Sequence, residues 1–169
     1  MTTGTQDALA KTLGTQFEFT NSIFGRTTEG VDHARSLESP AAGGNCMNWV
    51  AGHIVRTRNS LLDLLGAERI WSPEEGAAYD RGSEGLRDGS SPKDFAAIRD
   101  AMERSHERTR AAIAALTPEQ LLAPLPEDRN PFQVDNLGEM IAVAAFHESY
   151  HVGQLGILRR TLGLPGVIK

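Results

Sequence analysis

The segment MIAVAAFHESYHVGQLGILRRTL, Met140–Leu162, decides the reading of the fold. Its residues Met140, Ala144, His147, His151, Leu155, Leu158 and Leu162 recur every three or four positions, the spacing of one stripe on an α-helix. Such a stripe buries itself against other helices, so the segment predicts one long amphipathic helix. Two of its members are imidazoles, which are costly to bury without partners. One helical turn sets them about 6 Å apart along the axis, a span suited to clamping one metal ion.

The same periodicity recurs three times upstream. Asp7–Phe24 carries Leu9, Leu13, Phe17, Thr20 and Phe24 on one side, and Gly25 and Gly30 mark its end. Met47–Leu65 carries Val50, Ile54, Leu61 and Leu65, with Asn45 expected as N-cap and Gly66 at C′. Pro92–Leu116 is expected to start with Ser91 as cap, Pro92 at the first helical position and Asp94 in the first turn. Its stripe is Phe95, Ile98, Met102, Ser105, Thr109, Ala112 and Leu116. Thr117-Pro118-Glu119-Gln120 reads as a capping box opening a short helical turn. The fourth helix is expected over Leu137–Leu162, ending at Gly163 and Pro165.

No stretch reads as a strand. Four amphipathic helices imply an all-α protein, an antiparallel four-helix bundle with residues 1–169 as a single domain. The connections Arg26–Gly44 and Ala67–Ser91 are long for a simple up-down bundle. The second is rich in Gly, Ser, Pro and charge and holds Trp71 and Tyr79. Lids or crossovers over a site at the bundle end, and plain surface excursions, both fit these loops.

The chain has 169 residues, 40% hydrophobic and 23% charged, with a net charge of −5. That is enough for one core. An acidic balance, with no basic cluster longer than Arg159-Arg160, argues against nucleic acid as a partner. No run of 18 apolar residues and no leader pattern is visible, so no membrane partner is expected and the expected compartment is the cytoplasm. The single cysteine, Cys46, cannot form an internal disulfide and is expected to be a small buried residue near a helix start.

A catalytic metal site commonly uses three protein ligands and an open position. His147 and His151 offer two. Of the remaining histidines, His53 is the best third: it sits on the edge of an apolar stripe with Val50 and Thr57, and Gly52 beside it leaves room for a close neighbour. His106 flanks the third helix as a candidate outer-shell group, and His33 is expected in a solvated loop.

His147-Glu148-Ser149-Tyr150-His151 also matches H-E-x-x-H, the zinc-protease helix in which Glu is the general base. The 18 residues after His151 contain no Asp, Glu, His or Cys to serve as the usual third ligand, and no strand offers a substrate edge. Glu148 also lies about 80° around the helix from the centre of the histidine pair. The protease reading is therefore set aside. Glu148 is left as an outer-shell group or as the partner of a basic residue on a neighbouring helix.

GNCMNWVAGHI (44–54) followed by LLDLLG (61–66) resembles the second helix of the DinB-like (DinB/YfiT) superfamily. HESYHVGQLGILRR (147–160) resembles its last bundle helix closely, and LTPEQL (116–121) and GLPG (163–166) fit as well. The H-x-x-x-H-x-G-Q string is specific in combination with the upstream Gly-His pair. The resemblance implies a four-helix bundle holding a divalent metal through three histidines, which fall on His53, His147 and His151. It also implies a homodimer.

Characterised relatives include transferases and isomerases that use bacillithiol, mycothiol or glutathione. The mycothiol-dependent isomerase branch places Glu where His147 stands, so this chain is more similar to the three-His bacillithiol-transferase branch. The resemblance does not name a substrate.

On this reading zinc, nickel or iron are candidate cofactors, and a low-molecular-weight thiol is a candidate cosubstrate. A thiol beside the cation would lose its proton and attack a small-molecule electrophile. A water in the same place would give hydrolysis instead. A non-catalytic metal-binding or stress-related dimer is the remaining alternative. Gln154, on the same face, is a candidate cofactor contact or a helix-contact hydrogen bond. Trp49 and Tyr150 are expected to be packing. Arg159 and Arg160 are expected either to meet an anionic thiol or to favour the helix dipole.

Overall fold

The computed structural model describes the chain except for residues 1–2, 41–42, 84–85, 87–91 and 169, and except for the side chains of residues 3–7. Among the described residues every regular element is helical. Four helices are long: α1 (Thr3–Thr28), α3 (Met47–Leu64), α5 (Phe95–Ala114) and α7 (Leu137–Thr161). Three are short: α2 (His33–Ser36), α4 (Pro73–Gly76) and α6 (Pro118–Leu121). Two 3₁₀ turns, Ala77–Tyr79 and Glu127–Arg129, complete the set. No helix among the described residues is long and apolar enough to cross a membrane.

Local chemistry sets most ends. Gly66 takes φ +68 just past α3, the left-handed conformation that glycine adopts without steric cost. Asn136 caps α7 by accepting from the Glu139 N–H at 3.0 Å. Thr117 and Gln120 form the expected reciprocal capping box of α6.

Three starts and one end differ from expectation. The first helix opens at Thr3 instead of Asp7 and runs through Gly25 to Thr28, so Gly25 is helical and only Gly30, at φ +73, lies past its end. The residue before α3 is Cys46, not Asn45, and its thiol makes no capping bond. The third long helix starts at Phe95 with Asp94 as N-cap, its side chain accepting from the Ala96 N–H at 2.9 Å. Pro92 precedes the helix, and Ser91 lies outside the described residues. Tertiary bonds hold this stretch out of the helix. The Lys93 N–H donates to Tyr79 Oη at 2.8 Å, and its carbonyl accepts from Asn48 Nδ2 at 3.1 Å.

The long helices pack side by side in a closed ring, α1 on α7, α7 on α3, α3 on α5 and α5 on α1. The contacts also give directions. Thr20 meets Glu148 and Thr27 meets Arg159, so α1 and α7 run the same way. Asn48 reaches Lys93 and Arg58 reaches Ser105, so α3 and α5 are parallel too. Glu18 meets His106 while Asn21 meets Glu103, so α1 opposes α5.

The expected all-antiparallel order therefore gives way to two parallel pairs. After α3 the chain must travel back about 27 Å to start a parallel neighbour, which accounts for the length of the connection between them. That connection also covers the outer face of α3. Trp71 and Tyr79 are buried against it, and α3 is consequently buried almost all round. The N-terminal stripe is buried from Leu13 onward, at Leu13, Phe17, Thr20 and Phe24, whereas Leu9 is exposed.

The apolar core forms two clusters. One gathers Val50, Ile54, Ile98, Met102, Val152 and Leu155; the other gathers Leu13, Phe17, Leu61, Ile113, Ile141 and Ala145. A polar layer centred on Arg58 and Glu148 lies between them, and the candidate site lies beside it.

Candidate metal centre

Three histidines converge where α3 meets α7. His53 Nε2 lies 3.3 Å from His147 Nε2, which lies 3.1 Å from His151 Nε2. Nitrogens bound at about 2.0–2.1 Å around one tetrahedral ion are separated by about 3.3 Å. The three form a group that could hold a metal ion.

Each ring is set by its surroundings. The His53 ring stacks on Trp49, centroids 4.9 Å apart and planes within 9°, and the Trp49 indole N–H donates to the Ala78 carbonyl at 3.0 Å. His53 Nδ1 is 2.7 Å from the Tyr79 carbonyl oxygen. A carbonyl only accepts, so Nδ1 carries the proton and Nε2 keeps its lone pair. Gly52 makes this possible, because a Cβ there would lie 2.2 Å from the Tyr79 ring. His151 Nδ1 is 2.7 Å from Gln154 Oε1, which fixes the second ring in the same sense. His147 Nδ1 is buried without a partner.

Burial pushes all three imidazoles below the usual histidine range. The largest effect is on His147, lowered to about 4 by desolvation and then by the neighbouring His151 and His53. Desolvation lowers His53 against the opposing bond to Tyr79, and lowers His151 against the opposing bond to Gln154. At neutral pH the cluster is therefore three uncharged rings, at least two with their lone pairs turned inward. Among the described residues these lone pairs meet only the neighbouring His147 Nε2, whose single proton can serve one of them at a time, whereas a divalent cation satisfies all three nitrogens at once. The donor set fits such an ion, and the bonds from Nδ1 to Tyr79 and Gln154 are the supports that orient ligand rings.

The cluster opens into a cavity of about 1000 Å³ between α3, α7 and the connections that follow α3 and α6. Trp49 and Tyr150 line its histidine end, and Leu61, Leu64, Met140 and Val143 line the remainder. Tyr150, expected to be packing, is instead exposed, with its ring edge-on to His151 at 5.2 Å.

Several candidates fall elsewhere. Of the expected stripe of α7, Met140, Leu155 and Leu158 are buried, but between them the core line runs through Ala145, Glu148 and Val152, one position on from Ala144, His147 and His151. The histidines thus flank the core and face the cavity. Glu148 takes the core position, only 3% exposed, against Arg58 at 2%. Both Glu148 oxygens accept from Arg58 at 2.7 Å, and Thr20 also donates to Glu148. A carboxylate so occupied has no proton-transfer role at the cluster.

His106 lies 3.1 Å from Glu18 on α1 and is not part of the three-His group. His33 is half-buried and opens α2 instead of standing in a solvated loop. Arg159 donates to the Thr27, Glu29 and Pro165 carbonyls, closing the end of α1, and Arg160 lies against Gly166. Neither arginine lines the cavity. Cys46 is buried, as expected.

Two contributors were missed from the sequence. Tyr79 acts through a backbone carbonyl, which no side-chain pattern announces. Arg58 had a signal: it fills the one gap in the stripe Val50, Ile54, Leu61, Leu65.

A family model of the DinB superfamily matches residues 16–155. The chain belongs to the DinB superfamily. The DinB match spans all three histidines, Gln154 and the Arg58–Glu148 pair, so the site and the layer behind it both lie inside the family region. No curated protein matches the chain.

Proposed function

We propose that this DinB protein is a divalent-metal-dependent thiol S-transferase, built on a four-helix bundle of the DinB/YfiT type and most similar to its three-His branch. The observation that carries the reading is the convergence of three neutral Nε2 atoms at the wall of a large cavity. His53, His147 and His151 would hold the ion, with zinc, nickel or iron all compatible with imidazole ligands. A bound cation supplies positive charge that favours the thiolate form of a low-molecular-weight thiol.

The chain's own residues do the remaining work. Tyr79 and Gln154 hold two rings in the ligating tautomer. Gln154 also borders the cavity and would contact the cosubstrate. The apolar walls exclude water around the electrophile, whose carbon takes the new C–S bond as its leaving group departs with the old bonding pair. Hydrolysis is a weaker reading, because the nearest carboxylates are held in ion pairs: Glu148 by Arg58 and Asp80 by Arg56 at 2.7 Å.

A homodimer is part of the proposal. Phe19, Ile157 and Ile168 are exposed around one groove between α1 and α7, an apolar surface suited to a second copy.

The test is elemental analysis of protein purified without chelator, beside a His53→Ala/His147→Ala/His151→Ala variant. About one metal per chain, absent from the variant, is expected. Loss of free thiol with a model electrophile should then follow metal content. A metal-loaded protein that consumes none of bacillithiol, mycothiol or glutathione would leave metal binding without catalysis.

A further inference from the structure

The walls of the cavity carry an uneven distribution of charge. Two aspartates and three arginines border it. Both oxygens of Asp63 are taken by the Arg69 fork, and Asp80 is taken by Arg56. Arg129 is exposed at the rim and forms no ion pair among the described residues. Arg81 is a second exposed cation at the rim, close enough to His147 for its charge to act there. A chain of net charge −5 thus presents a positive balance at this one opening.

Position along the helices adds a length. Arg129, Pro131 and Phe132 belong to the connection that enters α7 at Leu137, so they close the cavity at the start of α7. His147 lies seven residues beyond Met140, the first cavity residue on that helix, or about 10 Å along the axis. Between the two ends the walls are mainly apolar, Leu61, Leu64, Val143 and Ala144, with Thr57, Ser60 and the Arg69-paired Asp63 of α3 beside them. The sequence of environments is therefore histidines, apolar wall, cation.

We infer that the site takes an elongated amphipathic anion, with its reactive group at the histidines, its apolar body along Leu61, Leu64 and Val143, and its anionic end on Arg129. The reactive end rests on the metal-thiol reading above; the anionic end rests on Arg129 alone. An arginine fork pairs with a carboxylate through two parallel hydrogen bonds, which selects charge and sets register together. Arg129 is here a specificity residue, not a catalytic one.

The test uses the full-length protein as purified, its metal content measured, and calorimetric titration with ω-mercaptooctanoate, ω-mercaptooctanol and ω-mercaptobutanoate. The octanoate should bind about tenfold more tightly than the alcohol of the same length. Arg129→Gln should reduce that preference to less than about twofold, and Arg129→Lys should keep part of it. The butanoate is too short to span the walls and should bind wild type and Arg129→Gln alike.

Equal binding of octanoate and octanol to the wild type, or a preference that survives Arg129→Gln, overturns the assignment. The three-histidine variant separates the two readings. If the histidines hold the reactive end, it weakens both long probes alike and leaves their ratio unchanged. If only Arg129 is correctly assigned, it binds both probes as the wild type does, and the preference still depends on Arg129.

Discussion

His147 and Glu148 are consecutive residues on α7, yet their environments are opposite. Glu148 points into the layer between the two apolar clusters, where Arg58 and Thr20 occupy its oxygens. Arg58 in turn donates to the Met102 carbonyl and Ser105. That layer is closed: its charges are paired and its hydrogen bonds go to the protein. His147 points into the cavity, where its Nε2 faces two other Nε2 atoms and its Nδ1 has no partner. Buried polar groups are nearly always satisfied, and in this cluster His147 Nδ1 alone has no partner, while the three Nε2 atoms have only one another. The closed layer is built from paired charges, and the open cluster is a group of three imidazoles that could hold a metal ion.

Breaking the closed side should have the largest effect. Removing one member of a buried ion pair leaves the other charge without compensation, so Glu148→Ala should cost about 3–5 kcal/mol of stability in urea denaturation. Arg58→Met with Glu148→Leu should cost much less than either single change. A Glu148→Ala midpoint indistinguishable from wild type would mean the layer is not structural.

Gly52→Ala probes the seam between the two sides. Its methyl would collide with the Tyr79 ring and should destabilise by about 1–3 kcal/mol. Displacing Tyr79 also removes the acceptor of His53, so metal content should fall with stability.

On the open side, Gln154→Leu frees the His151 ring and should weaken metal binding about tenfold in chelator competition. The metal-free variant should be as stable as metal-free wild type, a separation that a purely structural glutamine would not produce.

The smallest effect is a pH slope. His147 is near 4 in the folded protein and near 6.5 unfolded. Between these values the unfolded chain binds a proton that the folded chain does not, so stability is complete above about pH 6.5 and falls as pH drops toward 4. With allowance for partial solvent access, metal-free protein should lose about 1 kcal/mol between pH 6.5 and 5. His147→Gln should reduce that slope and leave the part due to His53 and His151, which burial also lowers; an unchanged slope would assign it to other groups.

The helices were legible because each long one carries its own period, because Gly66 and Gly163 stop α3 and α7, and because α6 has its own capping box; Gly25, read as a stop, lies inside α1. The histidine pair was legible because residues four apart share a helix face whatever surrounds them. The exact stripe of α7 was not. Apolar residues cover most of that helix, so periodicity alone allows a rotation of one position; the sequence leaves Glu148 open between an outer-shell group and the partner of a basic residue on a neighbouring helix, and Arg58 on α3 is that residue. The start of α5 was displaced for a similar reason: Ser91-Pro92 is a good local cap, but Lys93 bonds to Tyr79 and Asn48 instead.

By itself, then, the sequence determined four amphipathic helices, a histidine pair on one face of the last, and His53 as the best third member. These follow from local spacing and propensity. Only the tertiary structure decided that the helices pair in parallel twos, that Glu148 and Arg58 close a layer, and that Tyr79 and Gln154 turn two rings toward one point. Those facts depend on contacts between residues far apart in the chain, whose geometry is set when the apolar faces pack and which no local pattern encodes.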